Sequence, residues 1–308
     1  MGVKGVSALT KERRTKIAIL FVAITFIIAA VLLFFSLMYV KKNEGIVNLD
    51  LRKKLEKIKK ENFVRAKEKL KTQTLKPKFY LIIDDVGYDE AMLEKFIKIN
   101  LKINFAIIPF LSKSMHAYNR LASKNKITMI HFPMQSRYKN PIEKFHININ
   151  DNKHTVRTKI ERTFKEYPNA RIMNNHMGSL ITSNEKIMET ILIKLKEENR
   201  YFFDSFTTKE SVSIKVGEKI GIRVEKRDIF LDNKDNERDV TDSLEKAKQI
   251  ARTKGFVKVI GHIWSKNTLK ILRKESESLN EEFEFKNLLN LYEKEEGNES
   301  AWHRELMR

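Results

Sequence analysis

Residues 78–88 read KFYLIIDDVGY, an apolar run that ends in two adjacent carboxylates. The five aromatic and aliphatic residues at 79–83 are typical of a strand that is buried on both faces of a parallel sheet. Asp84 and Asp85 then stand where the strand ends, and Gly87 follows as a turn residue. Because adjacent aspartates repel each other, the pair either binds a cation or lies in a solvated turn. The cation is favoured if other ligand side chains gather at the same sheet edge, where α/β folds build their sites.

Short apolar runs alternate with charged, helix-length stretches along the rest of the chain. The predicted strands are 79–83, 103–108, 127–132, 170–173, 201–203, 228–231 and 256–260, with a weaker one at 283–285. The predicted helices lie near 89–99, 112–124, 155–167, 184–199, 239–254 and 267–279, and two of them should begin at Ser183-Asn184 and Thr241-Asp242. Repeated β-then-α units indicate an α/β fold with a parallel sheet, either open or closed. Seven or eight such units favour the closed barrel, with about seven strands.

The N-terminal part predicts a membrane anchor and a stalk. Residues 17–40 carry no charge and would form a helix of roughly 36 Å, long enough to cross a bilayer, with no cleavage site after them. Basic residues before this segment place 1–16 in the cytoplasm, although Lys41 and Lys42 beyond it weaken that orientation. We expect a single-pass membrane protein with a basic helical stalk or solvated linker over 41–77, an extracytoplasmic folded domain over 78–292 and a polar tail over 293–308.

The charge distribution argues against a nucleic-acid-binding protein. The formal net charge is +20, but residues 1–78 hold 19 basic and 6 acidic side chains, so most of the excess lies beside the predicted anchor. Lysines there can bind anionic lipid head groups, and no nucleic-acid-binding motif is present. The chain contains no cysteine, which excludes disulfides and thiolate metal sites. The sequence leaves the oligomeric state open.

Polar side chains of the metal-ligand and acid–base classes recur where the predicted strands end. They are Asp84, Asp85, His131, Asn174, Asn175, His176, Asp204, Asp232 and His262. One such histidine alone is more often a packed or surface residue than a ligand, as we expect for His116, His146, His154 and His303. An aspartate with two histidines is a common ligand set for a catalytic divalent metal, which activates water and polarises a carbonyl. A spare carboxylate and a further histidine would supply proton transfer, so the set fits hydrolysis of an amide or ester.

These motifs resemble those of the divergent polysaccharide deacetylase family over about residues 78–290. The matching stretches are Asp84–Tyr88, His131–Met134, Asn174–Ser179, Phe203–Ser205, Arg227–Asn233 and Ile260–His262. The resemblance implies a distorted (β/α) barrel of the polysaccharide deacetylase superfamily and a divalent metal, for which zinc is the default by ligand type.

The resemblance also implies residue roles. Asp84 would be the catalytic base and His262 the general acid, while Asp85, His131 and His176 would bind the metal. The residues that would bind or orient the substrate are Asn175, Asp204, Arg227 and Asp232. The implied activity is metal-dependent removal of N-acetyl groups from an amino-sugar polymer of the cell envelope.

Three positions depart from the family pattern. Gln135 stands where glutamate is frequent, Phe206 where arginine usually follows the Asp-Ser pair, and Trp264 where the family has the second histidine of Gly-His-Pro-His-Pro. These departures keep open an alternative, a catalytically impaired carbohydrate-binding or scaffolding module with the same barrel.

Overall fold

The computed structural model describes residues 11–42, 56–60 and 76–293, and within the first range it describes the side chains of 22 and 24–39. The chain divides into two compact units, Met1–Thr74 and Leu75–Arg308.

The first unit contains helix α1 (Lys11–Lys42) and a short helix α2 (56–60). Across the residues that the structure describes, no helix combines the length and apolarity that a membrane crossing requires. The anchor predicted over 17–40 is therefore not confirmed. Most of the predicted stalk (43–55 and 61–75) and nearly all of the tail (294–308) lie outside the described residues.

The second unit alternates strands and helices. Its strands are β1 (Lys78–Val86), β2 (Ile103–Ile107), β3 (Ile127–Met134), β4 (Ile172–Met177), β5 (Tyr201–Asp204), β6 (Val224–Lys226), β7 (Ile229–Phe230), β8 (Phe256–His262) and β9 (Glu284–Phe285). Its helices are α3 (Glu90–Ile97), α4 (Ser114–Ser123), α5 (Lys153–Glu166), α6 (Glu185–Glu197), α7 (Ser213–Lys219), α8 (Glu237–Lys254) and α9 (Lys266–Glu282). A 3₁₀ turn, Leu288–Leu291, follows β9.

All strand pairs are parallel, and the sheet order is β6-β5-β4-β3-β2-β1-β8-β7, with β9 added beside β1. The segment 224–230 joins the two edges, because β6 pairs with β5 and β7 pairs with β8. Between these halves, Arg227 N donates to Asp204 O and Asp228 N donates to Lys258 O. If β6 and β7 are counted together as one wall, the sheet closes into a distorted barrel of seven strand positions. The helices lie around this barrel. This matches the predicted architecture, although the sheet has nine strands.

The strands separate two apolar layers. Alternate residues of β1, such as Phe79, Leu81 and Ile83, pack beneath the helices in the larger cluster. The intervening residues face the barrel interior, where a smaller cluster comprises Tyr80, Ile82, Ala106, Met129, Ile172, Phe203, Ile260, Leu288 and Leu291. Because side chains alternate along a strand, the next inward positions are Asp84, His131, Asn174 and His262. The core thus directs these polar groups to the carboxyl-terminal rim.

Most predicted elements are present, and the exceptions have local causes. The helix expected after Ser183 begins at Glu185, with the Asn184 side chain accepting from Ile187 N. The start predicted at Thr241-Asp242 is wrong, because Asn236 caps α8 and Thr241 lies inside the helix, donating to Glu237 O. β6 and α7 were not predicted, since both are short and lack a long apolar period.

Candidate metal centre

A bulge at the end of β1 brings both aspartates to the rim. Ile83 pairs with Phe105 and Val86 with Ile107, so β1 contains one extra residue there. Asp85 has a left-handed backbone with φ 64°. In a regular strand, neighbouring side chains point to opposite faces. The bulge re-aims Asp85, so that adjacent carboxylates serve one site.

Three side chains from three strands converge at this point. The Asp85 Oδ1 atom lies 3.2 Å from His131 Nε2 and 2.9 Å from His176 Nδ1, and the two imidazole nitrogens are 3.2 Å apart. Ligands about 2.0–2.1 Å from one ion would be about 2.9–3.4 Å apart in octahedral to tetrahedral arrangements. Asp85 Oδ1 is buried and accepts no hydrogen bond from any described residue. The three residues therefore fit a divalent cation.

Asn174 orients His131 and Asp84 at the same time. Its Oδ1 accepts from His131 Nδ1 at 2.9 Å, which leaves Nε2 of that ring free to bind a cation. Its Nδ2 donates to both Asp84 oxygens, at 2.9 and 3.1 Å, and to Ser205 Oγ at 3.1 Å. Sequence analysis did not assign Asn174 a role. Its spacing of two from His176 on a strand is the signal that places both on one face.

The electrostatics distinguish the two aspartates. Burial raises the pKa of Asp84 above its ordinary value, and the neighbouring His131, His262 and Asn174 offset only part of that effect. Burial also acts to raise the pKa of Asp85, but its contacts with His131 and His176 outweigh burial and hold that pKa well below the usual range. Asp84 is therefore the better proton acceptor and Asp85 the better cation ligand.

His262 and Asp232 form a dyad on the other side of Asp84. His262 stands opposite Asp84 in the β1–β8 ladder, and its Nδ1 lies 2.7 Å from Asp232 Oδ1. Asp232 Oδ2 accepts from His262 N and from Thr268 Oγ1, both at 2.8 Å. Burial lowers the pKa of His262, but Asp232 outweighs burial and raises that pKa to about 9. At neutral pH, His262 is therefore protonated and can act as an acid.

The remaining predicted residues form the support of the rim. Asn175 is buried, donates to Met177 O and accepts from Ser205 N. Asp204 accepts from Phe206 N, Ser211 Oγ and Ser213 Oγ, so both its oxygens are engaged. Arg227 donates to Ser205 O and Phe206 O, and burial lowers its pKa to about 10. The hydrogen bonds of these three residues hold the loop that follows β5 in place beside the candidate centre.

A further carboxylate, Glu143, lies beside His176. Glu143 Oε1 is 3.6 Å from His176 Nε2 and accepts the hydroxyl of Tyr88. Its Oε2 is buried and has no hydrogen-bond partner among the residues described. Glu143 also lines a cavity of about 540 Å³ with Tyr88, Phe110 and Phe145. Sequence analysis missed Glu143, which lies in the irregular segment between β3 and α5.

The three departures from the family pattern have different surroundings. The Gln135 side chain accepts from Ile149 N and so holds the segment that carries Glu143. Phe206 has its ring under Lys226 Nζ, at 4.1 Å. Trp264 reaches the centre itself, because its Nε1 donates to Asp85 Oδ2 at 2.8 Å.

Comparison with known proteins identifies the family of this chain. Two curated relatives are each 29% identical: Escherichia coli K12 YibQ over 193 residues (63% of this chain) and a Haemophilus influenzae Rd protein over 218 residues (71% of this chain and 78% of the relative). This chain spans 60% of YibQ. An Agrobacterium tumefaciens C58 crystal structure shares the fold with a TM-score of 0.62 and 13% identity, covering 68% of this chain and 86% of that one. The model of the divergent polysaccharide deacetylase family matches residues 81–292. The chain therefore belongs to the divergent polysaccharide deacetylase family.

Proposed function

We propose that this protein is a metal-dependent hydrolase that removes N-acetyl groups from an amino-sugar polymer of the cell envelope. The observation that carries the proposal is the convergence of Asp85, His131 and His176 between Asp84 on one side and the His262–Asp232 dyad on the other. Membership of the family supports the substrate class.

The ligand set supports zinc as the metal. Two imidazole nitrogens and one carboxylate leave coordination positions open for water and substrate. A divalent ion bound there would lower the pKa of a water and polarise the acetyl carbonyl.

Asp84 is the proposed base. Asn174 fixes its carboxylate with two N–H contacts, and burial raises its pKa, which favours uptake of a proton from the attacking water. Proton transfer by such a positioned group contributes about 10²- to 10⁴-fold to rate.

His262 is the proposed acid for the departing amine. Asp232 binds its Nδ1, so the Nε2 atom is the one available to donate. The raised pKa keeps the proton on the ring until the leaving nitrogen takes it. Base and acid thus stand side by side on adjacent strands.

The test is acetate release by the purified full chain from N-acetylglucosamine oligomers, before and after chelation. We expect release, its loss with chelator, its return with zinc, and a roughly 10²- to 10⁴-fold loss in Asp84→Asn. Asp228→Asn is the matched control, because Asp228 bonds to Lys258 N near the start of β8, four residues before His262. Metal binding without release from any oligomer would contradict hydrolysis and favour the carbohydrate-binding or scaffolding module.

We also propose that residues 17–40 hold the domain at the outer face of a membrane. The support is the uncharged apolar sequence of that segment and the basic residues before it. Fractionation of cells and protease accessibility of residues 76–293 in spheroplasts test this proposal. A soluble chain, or a domain protected from external protease, would contradict it.

A further inference from the structure

Trp264 lies in the turn after β8 and is held there from both sides. Ile263 N donates to Asp84 O at 3.0 Å, and Ser265 N donates to His262 O at 3.1 Å. The indole stacks on the His262 ring, with centroids 5.1 Å apart and planes 19° apart. The side chain touches the acid through its face and the ligand Asp85 through its N–H.

We propose that Trp264 is a specificity-determining residue: its N–H positions Asp85 for the metal, and its exposed surface is a platform on which a pyranose ring of the substrate stacks. The choice of a sugar rests on the proposed function, whereas the positioning of Asp85 does not.

The claim that Trp264 positions Asp85 follows from the different contacts of the two Asp85 carboxylate oxygens. Oδ2 accepts from Trp264 Nε1, while Oδ1 faces His131 and His176. Hydrogen bonds of this kind fix the orientation of a ligating carboxylate, and their loss typically costs 10- to 100-fold in metal affinity. The indole donor is uncharged, so it orients Asp85 without adding a competing cation to the site.

The claim that Trp264 is a platform for a sugar ring follows from the solvent exposure of its indole. Trp264 is 48% exposed, although burial of a ring of this size would be favourable. Its neighbour His262 covers part of the ring and stacks in turn on Phe230, with centroids 5.4 Å apart. An aromatic face carries negative charge density, and the C–H face of a pyranose carries partial positive charge, so the two attract. A large exposed aromatic beside convergent polar groups is typical of a ligand site.

Two substitutions separate the two roles. Trp264→Phe keeps an aromatic face but removes the N–H, whereas Trp264→His keeps a ring N–H but has a smaller face. Phe256→Ala is the control, because Phe256 is an exposed aromatic at the opposite end of the same strand, β8. The measurements are the zinc dissociation constant by chelator competition, and KM and kcat for acetate release from N-acetylglucosamine oligomers.

We expect Trp264→Phe to raise the zinc dissociation constant about tenfold with little change in KM. We expect Trp264→His to raise KM about tenfold and to keep zinc affinity within threefold of the parent. Zinc affinity unchanged in Trp264→Phe, or KM unchanged in Trp264→His, overturns the assignment, as does an equal effect of Phe256→Ala.

A fluorescence titration distinguishes failure of this inference from failure of the proposed function. The sequence has two tryptophans, Trp264 and Trp302, so the Trp302→Phe chain reports Trp264 alone. Quenching by oligomers without acetate release would contradict the hydrolase and support the platform. Acetate release with no change in Trp264 fluorescence on oligomer binding would overturn the platform and leave the hydrolase intact.

Discussion

The two ends of the barrel interior use the same inward-facing strand positions for opposite kinds of side chain. At the amino-terminal end, the interior is an apolar plug, here defined as Tyr80, Ile82, Met129, Ile172, Ile260, Leu288 and Leu291. Two residues further along four of the strands stand Asp84, His131, Asn174 and His262. A shift of two residues along each strand therefore separates the apolar interior that stabilises the fold from the rim that forms the candidate metal centre.

The difference shows how a buried polar cluster is maintained. Burying charged and polar groups is unfavourable unless each has a partner, and the rim meets this with paired aspartates, imidazoles and amides. The plug and the layer beneath the helices supply the compensating apolar burial. Substitutions at the rim should therefore change metal binding or rate, and substitutions in the plug should change stability.

The largest expected effect is the loss of metal binding in His176→Ala. Removal of one of three protein ligands should raise the zinc dissociation constant by more than the 10- to 100-fold that loss of a supporting contact costs. The unfolding free energy of the metal-free chain should change by less than about 1 kcal/mol, because the side chain packs against polar neighbours at the rim. Chelator competition and urea unfolding measure the two quantities. Unchanged zinc affinity would show that the metal lies elsewhere.

The reverse pattern is expected for Leu288→Ala in the plug. Leu288 is fully buried, so its truncation leaves a cavity and should lower the unfolding free energy by about 2–5 kcal/mol. Zinc affinity should stay within threefold of the parent. Leu289→Ala, at a partly buried neighbouring position, should cost less. A large loss of zinc affinity in Leu288→Ala would break the proposed division between the two ends.

A shift in pH dependence is expected for Asp232→Asn. Asp232 raises the pKa of His262 to about 9, and an acid must be protonated, so kcat/KM should fall above that pKa. Without the carboxylate, the alkaline limb should move down by about two pH units, toward the ordinary histidine value. Both proteins are compared with metal bound, because a cation lowers either pKa. Asp235→Asn, at a nearby exposed aspartate, should leave the limb in place.

The same pair gives a signed prediction for stability. The folded pKa of His262 lies above its ordinary value, so the stability from its pairing with Asp232 is complete below pH of about 6.5 and is lost as pH rises through about 9. Unfolding of the metal-free chain at pH 6 and pH 10 should show this loss, and Asp232→Asn should abolish that part of it. An identical loss in the variant would assign the effect to other groups.

The smallest effect is expected for Glu143→Gln. Glu143 approaches His176 Nε2 at 3.6 Å, a long contact, so its neutralisation should weaken zinc binding by about tenfold, at the low end for a supporting carboxylate. Asp151→Asn, elsewhere in the same irregular segment, is the control. Loss of binding as large as that in His176→Ala would instead make Glu143 a ligand.

The sequence was sufficient for most of the elements and for the convergence of the candidate ligands. Apolar runs of five or six residues identified β1, β2, β3 and β8, because strands buried on both faces need no alternation. Parallel strands bring their carboxyl ends to one rim, so Asp85, His131 and His176 could be grouped without knowledge of the barrel's dimensions.

Other parts depend on tertiary contacts that leave no periodic signal. The approach of Glu143 is set by the path of 135–152, which is fixed by the bond from Ile149 N to Gln135 and by the bridge from Ile147 to Met134. The contact of Trp264 with Asp85 depends on a turn between β8 and α9, 179 residues away along the chain. The wall 224–230 could not be recognised as two strands, because neither half is longer than three residues.

That wall segment has a mechanical consequence. It binds β5 through three register pairs and β8 through two, whereas β1 and β8 share seven. Local opening requires the least free energy where the fewest buried contacts must break, so we expect opening of the barrel to begin at this wall. Arg227 lies between β6 and β7, and its guanidinium donates hydrogen bonds to Ser205 O and Phe206 O. Opening there would separate β5 from β8 and leave in place Asp85, His131 and His176, which lie on β1, β3 and β4.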